Sequence, residues 1–93
     1  MLDTESQFKK FASQVSNLCS HISVRHDDNG PYIFALGLKE THTLQMRKID
    51  KEYVLELWYG ATSDDEFVAS VPSYLEINEA FFAAKTWLEK DVV

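Results

Sequence analysis

The side chains that could ligate a metal or serve as nucleophile or base are few: Cys19, His21, His26 and His42. Cys19-Ser-His21 is a Cys-x-His pair, and no C-x-x-C or H-x-x-x-H partner accompanies it at zinc-site spacing. A metal site is not expected, and no cofactor is implied. Cys19 and His21 fall on one expected helical turn, where neighbours two apart point in different directions. Cys19, at the end of that helix, reads as a small buried or half-buried side chain. There is no Gly-x-Ser-x-Gly elbow, and three glycines in all supply no phosphate-cradling loop. His26 beside Asp27 has the residue types of an oriented imidazole, but it stands in a turn with no nucleophile in view. The adjacent acids Asp27/Asp28 and Asp64/Asp65/Glu66 lie on expected turns, where solvation keeps both members of a pair ionised and unsuited to acid–base work. These residues predict a protein without catalytic groups, acting by binding.

Charge narrows the partner. Residues 1–48 hold five acids and six bases, whereas residues 49–93 hold ten acids against Lys51, Lys85 and Lys90. The net charge of −6 repels phosphate backbones and attracts basic proteins. Helix–sheet–helix order resembles the double-stranded RNA-binding fold, which sets basic residues at the start of its last helix to meet phosphates. Glu76 and Glu79 occupy that position here. Arg47-Lys48 and Lys9-Lys10 are pairs rather than a stripe, so nucleic-acid binding is not expected.

The elements that would position these residues can be read from periodicity. Ninety-three residues, 45% hydrophobic and 26% charged, fit a single domain (1–93) with a compact core. The start of the chain has no basic segment followed by an apolar run, and no run approaches membrane-spanning length. With the lone cysteine, this predicts a soluble cytoplasmic protein. Thr4-x-x-Gln7 has the form of a capping box, followed by Phe8, Phe11, Val15, Leu18 and Ile22 at helical spacing over about four turns. Ile22–His26 alternates as a strand. Asp27-Asp28-Asn29-Gly30-Pro31 is rich in turn formers. Tyr32–Leu38 reads as a central strand, followed by a reversal at Lys39-Glu40. Thr41–Ile49 carries Leu44 and Met46 on one face, and Asp50-Lys51 closes a second hairpin. Tyr53–Tyr59 sets Tyr53, Leu55, Leu57 and Tyr59 against Val54, Glu56 and Trp58. Glu66–Val71 reads as a further strand stopped by Pro72. Ser73-x-x-Glu76 predicts a second capped helix to about Lys90, with the stripe Tyr74, Ile77, Phe81, Ala84 and Leu88. Phe82 and Trp87 widen that arc or sit at its margins. The expected fold is α+β: helix, an antiparallel meander sheet of four or five strands, helix, with both helices on one sheet face.

The pattern leaves one candidate patch. Alternation places Trp58 and Glu56 opposite the Leu55/Leu57 core face, and the Asp64-Asp65-Glu66 loop follows the same strand. An aromatic rimmed by carboxylates suits a protein contact. The alternative is that Trp58 fills the core and the acids serve solubility. Asp27 and Asp28 form a second acidic contact.

The stretch Tyr53-Val-Leu-Glu-Leu-Trp-Tyr-Gly60, the acidic loop, the short strand to Pro72, and Ser73–Lys90 ending Trp87-Leu88-Glu89-Lys90 resemble small immunity proteins of bacterial contact-dependent growth inhibition systems. The similarity is to the group paired with toxins that engage elongation factor Tu. It implies a protein that blocks a cognate toxin domain, often a tRNA-cleaving nuclease, by direct contact and as a monomer or dimer. Elongation factor Tu would be a further partner within a toxin complex. Trp58 would then be the apolar anchor, with Glu56, Asp64, Asp65 and Glu66 pairing with toxin cations. The alternative is a non-enzymatic adaptor that self-associates through its open sheet face.

Overall fold

A computed structural model describes residues 3–61 and 68–92. Helix α1 spans Thr4–Val15. Its cap is Asp3, whose Oδ1 accepts from Ser6 N at 2.7 Å, so the start lies one residue before the expected Thr4 capping box. The helix is shorter than the four turns expected. It tightens into a single 3-10 turn, Ser16–Leu18, and Cys19 already opens strand β1, Cys19–Asp27. Ser16, Asn17, Cys19 and Ser20 are weak helix formers, and Ile22 therefore belongs to the sheet.

Strands β2 (Gly30–Gly37), β3 (His42–Ile49), β4 (Glu52–Tyr59) and β5 (Val68–Ser70) follow as an antiparallel meander in the order β1-β2-β3-β4-β5. Turn chemistry sets the hairpins. Asp27 pairs with Gly30 around Asp28-Asn29, and Asp27 Oδ1 accepts from Asn29 N at 2.8 Å. Ile49 pairs with Glu52 around Asp50, which holds φ at 57°. The final edge is broken. After β5 the regular strand stops at Val71 and Pro72, although Pro72 O still accepts from Leu55 N at 2.9 Å, and the two-residue β6 (Ser73–Tyr74) resumes it against Tyr53 and Val54 of β4. Ser73 therefore does not cap a helix, and its hydroxyl donates to Glu52 Oε1 at 3.4 Å. Helix α2 begins later than expected and spans Ile77–Glu89. Glu76 holds the N-cap position without a side-chain cap bond, and Tyr74 falls in the sheet.

Both helices lie on one face, as the amphipathic stripes predict. Phe8, Phe11 and Val15 of α1 and Ala80, Ala84, Trp87 and Leu88 of α2 pack in one cluster with Ile33, Ala35, Leu44, Met46, Leu55 and Leu57 of the sheet. Phe11 stacks on Phe81 at 4.3 Å between ring centroids, joining the helices. Strand β2 turns its smaller residues to the helices and its larger ones, Tyr32, Phe34 and Leu36, away. Among the described residues, no helix is long and apolar enough to cross a membrane.

The cap assignment is testable by urea denaturation. Asp3→Ala should cost about 1 kcal/mol, and Thr4→Ala only a few tenths.

Candidate functional site

Of the expected patch, Trp58 and Glu56 lie within the described residues. Trp58 does lie on the face away from the helices, as alternation requires, but it is 3% exposed. Strand β4 is not an edge: Thr43 faces Trp58 from β3, and Val68 pairs with it from β5. The indole is buried rather than presented, which corrects its reading as an exposed anchor. Its Nε1 has no hydrogen-bond partner among the described residues. Glu56 is half-buried opposite Gln45. Asp64, Asp65 and Glu66 lie outside the described residues.

Asp27 is engaged by its own fold. Arg47 Nη1 and Nη2 donate to its two oxygens at 3.1 and 2.9 Å. Those bonds, with the one from Asn29, hold its carboxyl below the usual range. The surrounding sheet face is closed in the same manner. The Arg47 guanidinium lies 4.5 Å from the Tyr32 ring centroid, and that of Arg25 lies 4.8 Å from Phe34. Arg25 Nε also donates to Ser23 Oγ at 2.9 Å. Apolar rings are thus covered by cationic stems already spent on local partners.

The structure gathers acids at one end instead. The β1–β2 and β3–β4 turns point the same way, and both helices start there: Glu5 lies 2.6 Å from His26, and Tyr74 pairs with Tyr53. That end carries Asp3, Glu5, Asp27, Asp28, Asp50, Glu52 and Glu76, with Lys9, His26, Arg47, Lys48 and Lys51 among them. Asp3, Glu5, Asp27 and Glu52 have internal partners. Asp28, Asp50 and Glu76 are exposed and have no ion pair among the described residues. A concave hollow of about 340 Å³ between the two turns is lined by Asn29, Arg47, Lys48, Ile49 and Asp50.

At the opposite end sits a feature that the sequence reading passed over. Asp91, 1% exposed, follows α2 and reaches the β2–β3 turn. Its Oδ2 accepts from the backbone N–H of Lys39 (3.2 Å), Thr41 (3.1 Å) and His42 (3.3 Å). Its Oδ1 accepts from the Thr41 hydroxyl and lies 2.5 Å from His42 Nδ1. Burial pushes this carboxyl up, but the Thr41 and His42 hydrogen bonds outweigh it and bring it down to about 2. Asp91 is therefore ionised at neutral pH, and His42 Nδ1 is the donor. Gly37 makes room for it: a Cβ there would lie 2.2 Å from Asp91 Oδ2. The His42 ring packs edge-on to Trp87 at 4.7 Å, and Trp87 Nε1 donates to Thr43 O at 3.0 Å. An aspartate-held imidazole is one element of a catalytic triad. Among the described residues no nucleophile is hydrogen-bonded to the ring's other nitrogen, and the pair serves to fasten α2 to the sheet. A carboxylate just past a helix C-terminus opposes the helix dipole, and this was the available signal that Asp91 had a specific partner.

Cys19 opens β1 rather than ending the helix. Its Sγ donates to Val15 O at 3.4 Å, and burial pushes the thiol up to about 11, which leaves little thiolate at neutral pH.

An apolar groove of about 630 Å³ runs along α2, where β4 and β6 extend beyond the helix. Leu57 and Tyr74 form its floor, and Phe82, 73% exposed, stands at its rim. The expected buried arc of α2 thus includes Trp87 but not Phe82.

The fold and these surfaces define a small two-layer α+β domain. In comparisons with family models, curated proteins and solved structures, no match to this chain is found.

Two outcomes follow from the burial of Trp58 and Asp91. Trp58→Ala should lower stability by about 3–5 kcal/mol in chemical denaturation, as a core truncation does. For Asp91 the folded-state pKa lies below its ordinary 3.8, so the unfolded chain takes up the proton first. Its contribution, roughly 2 kcal/mol, should be complete above about pH 4 and lost as the pH falls through 2. Urea titrations between pH 7 and 2 should show that loss, and Asp91→Asn should be less stable at pH 7 and less acid-sensitive.

Proposed function

We propose that this protein is an immunity protein that neutralises a basic toxin domain, of nuclease type, by direct contact in the cytoplasm. The observation that carries the reading is the gathering of carboxylates from both halves of the chain at one end of the sheet, with Asp28, Asp50 and Glu76 exposed and without an ion pair among the described residues. A nuclease presents a cationic cleft for phosphates, and an acidic surface of this kind speeds and orients its docking. Helix–sheet–helix order and the Tyr53–Lys90 pattern, which resemble contact-dependent immunity proteins, support the same reading. The docking residues move accordingly. Asp28 remains from the second acidic contact expected at first, Asp50 and Glu76 join it, and Trp58 acts as a buried residue.

The test is titration of a candidate toxin domain, taken from a reading frame adjacent to this one, against wild type and an Asp28→Lys/Asp50→Lys variant. Binding should weaken at least tenfold in the variant and fall steeply between 50 and 500 mM salt, with an unchanged melting temperature. A variant that binds and protects like wild type would remove the acidic end from the interface.

A further inference from the structure

We propose that the groove along α2 is a self-complementary surface that receives α2 of a second copy of this chain, antiparallel, about a two-fold axis. The wall of the groove contributed by α2 includes Glu79, Phe82, Ala83, Thr86, Trp87 and Lys90. Asn78 also lines the groove, at its outer end and without a counterpart, while these six fall into three pairs about a point midway between positions 84 and 85: Glu79 with Lys90, Phe82 with Trp87, and Ala83 with Thr86. An antiparallel partner crossing at that point sets each residue of a pair opposite the other, twice over. A two-fold interface requires this property, since residue i must suit residue j and j must suit i.

Each pair is complementary in kind. Glu79 and Lys90 are opposite charges near the two ends of the groove, about 16 Å apart along the helix at 1.5 Å per residue, so each meets its opposite on the partner. Phe82 projects from the helix surface, and Trp87 lines the wall that it would enter. Ala83 and Thr86 are small enough for the two backbones to approach at the centre. A parallel partner would set like charges together at both ends. Leu57 and Tyr74 supply the apolar floor. The adaptor reading placed self-association on the open sheet face, where Arg25 and Arg47 already lie over the Phe34 and Tyr32 rings. The proposal does not depend on the immunity reading, because Asp28 and Asp50 lie outside the groove.

Sedimentation equilibrium of the full chain over a thousandfold concentration range tests it. The wild type should pass from monomer to dimer. Phe82→Glu, at a site already exposed, should keep its circular dichroism spectrum and weaken association at least tenfold. Glu79→Lys should weaken it as well, and the Glu79→Lys/Lys90→Glu double variant should restore it, which a loss of fold would not allow. A wild type that stays monomeric throughout, a dimer indifferent to Phe82→Glu, or a double variant no better than the single one would each overturn the proposal. If the monomer persists while Phe82→Glu abolishes capture of the toxin domain, the groove holds a different protein, and the second-copy assignment fails. The Asp28→Lys/Asp50→Lys variant should dimerise like wild type, so the two readings fail separately.

Discussion

Helix cover on one side of the sheet, among the described residues, is the constraint from which the other features of this molecule follow. Two helices of twelve and thirteen residues must cover the apolar face of a sheet whose order runs β1-β2-β3-β4-β5. They achieve it by stacking Phe11 on Phe81 and filling the space beneath with Ile33, Leu44, Met46 and Leu55, all fully buried. Among the described residues the far face receives no helix, and it carries Tyr32, Phe34, Leu36 and Trp58. Left bare, those side chains would form an adhesive sheet surface. Arg25 and Arg47 lie across the Phe34 and Tyr32 rings, and Trp58 is buried.

The same constraint explains why the groove lies where it does. Among the described residues no third helix covers the margin of β4 and β6 beyond α2, and Leu57 and Tyr74 line an open trough. The position of α2 over that margin is held at its C-terminal end by a network rather than by contact area alone. Asp91 draws in the backbone of the β2–β3 turn, His42 bridges Asp91 to Trp87, and Trp87 returns to the sheet through Thr43 O. A buried carboxylate is stable only when its lone pairs are filled by donors. The turn from Lys39 to His42 supplies them, and the absence of a side chain at Gly37 lets the carboxylate approach.

Much of the architecture was legible in the chain because it rests on local periodicity. The 3.6-residue stripes of Phe8/Phe11/Val15 and Ala84/Leu88, and the alternation of Leu44/Met46 and Leu55/Leu57, each pointed to the buried faces found. Element ends were less legible. Thr4, Gln7, Ser73 and Glu76 satisfy the capping-box pattern in composition, yet Asp3 caps α1, and Ser73 is drawn into a strand by pairing with Val54. Local patterns compete at such places, and sheet pairing, which is invisible to spacing, decides between them.

The candidate site was the least legible part, for a related reason. Alternation correctly put Trp58 on the face away from the two helices, but its burial there depends on packing that residue spacing does not report. Likewise Asp27 and Asp28 were visible as acids, while only the hairpin registers bring them to the same end as Asp50 and Glu76. By itself the sequence determined the element types, the apolar faces and the net negative charge, because these depend on residue type and near-neighbour spacing. The burial of Trp58, the clamp at Asp91 and the groove beside α2 were decided by tertiary structure, because each joins residues far apart in the chain.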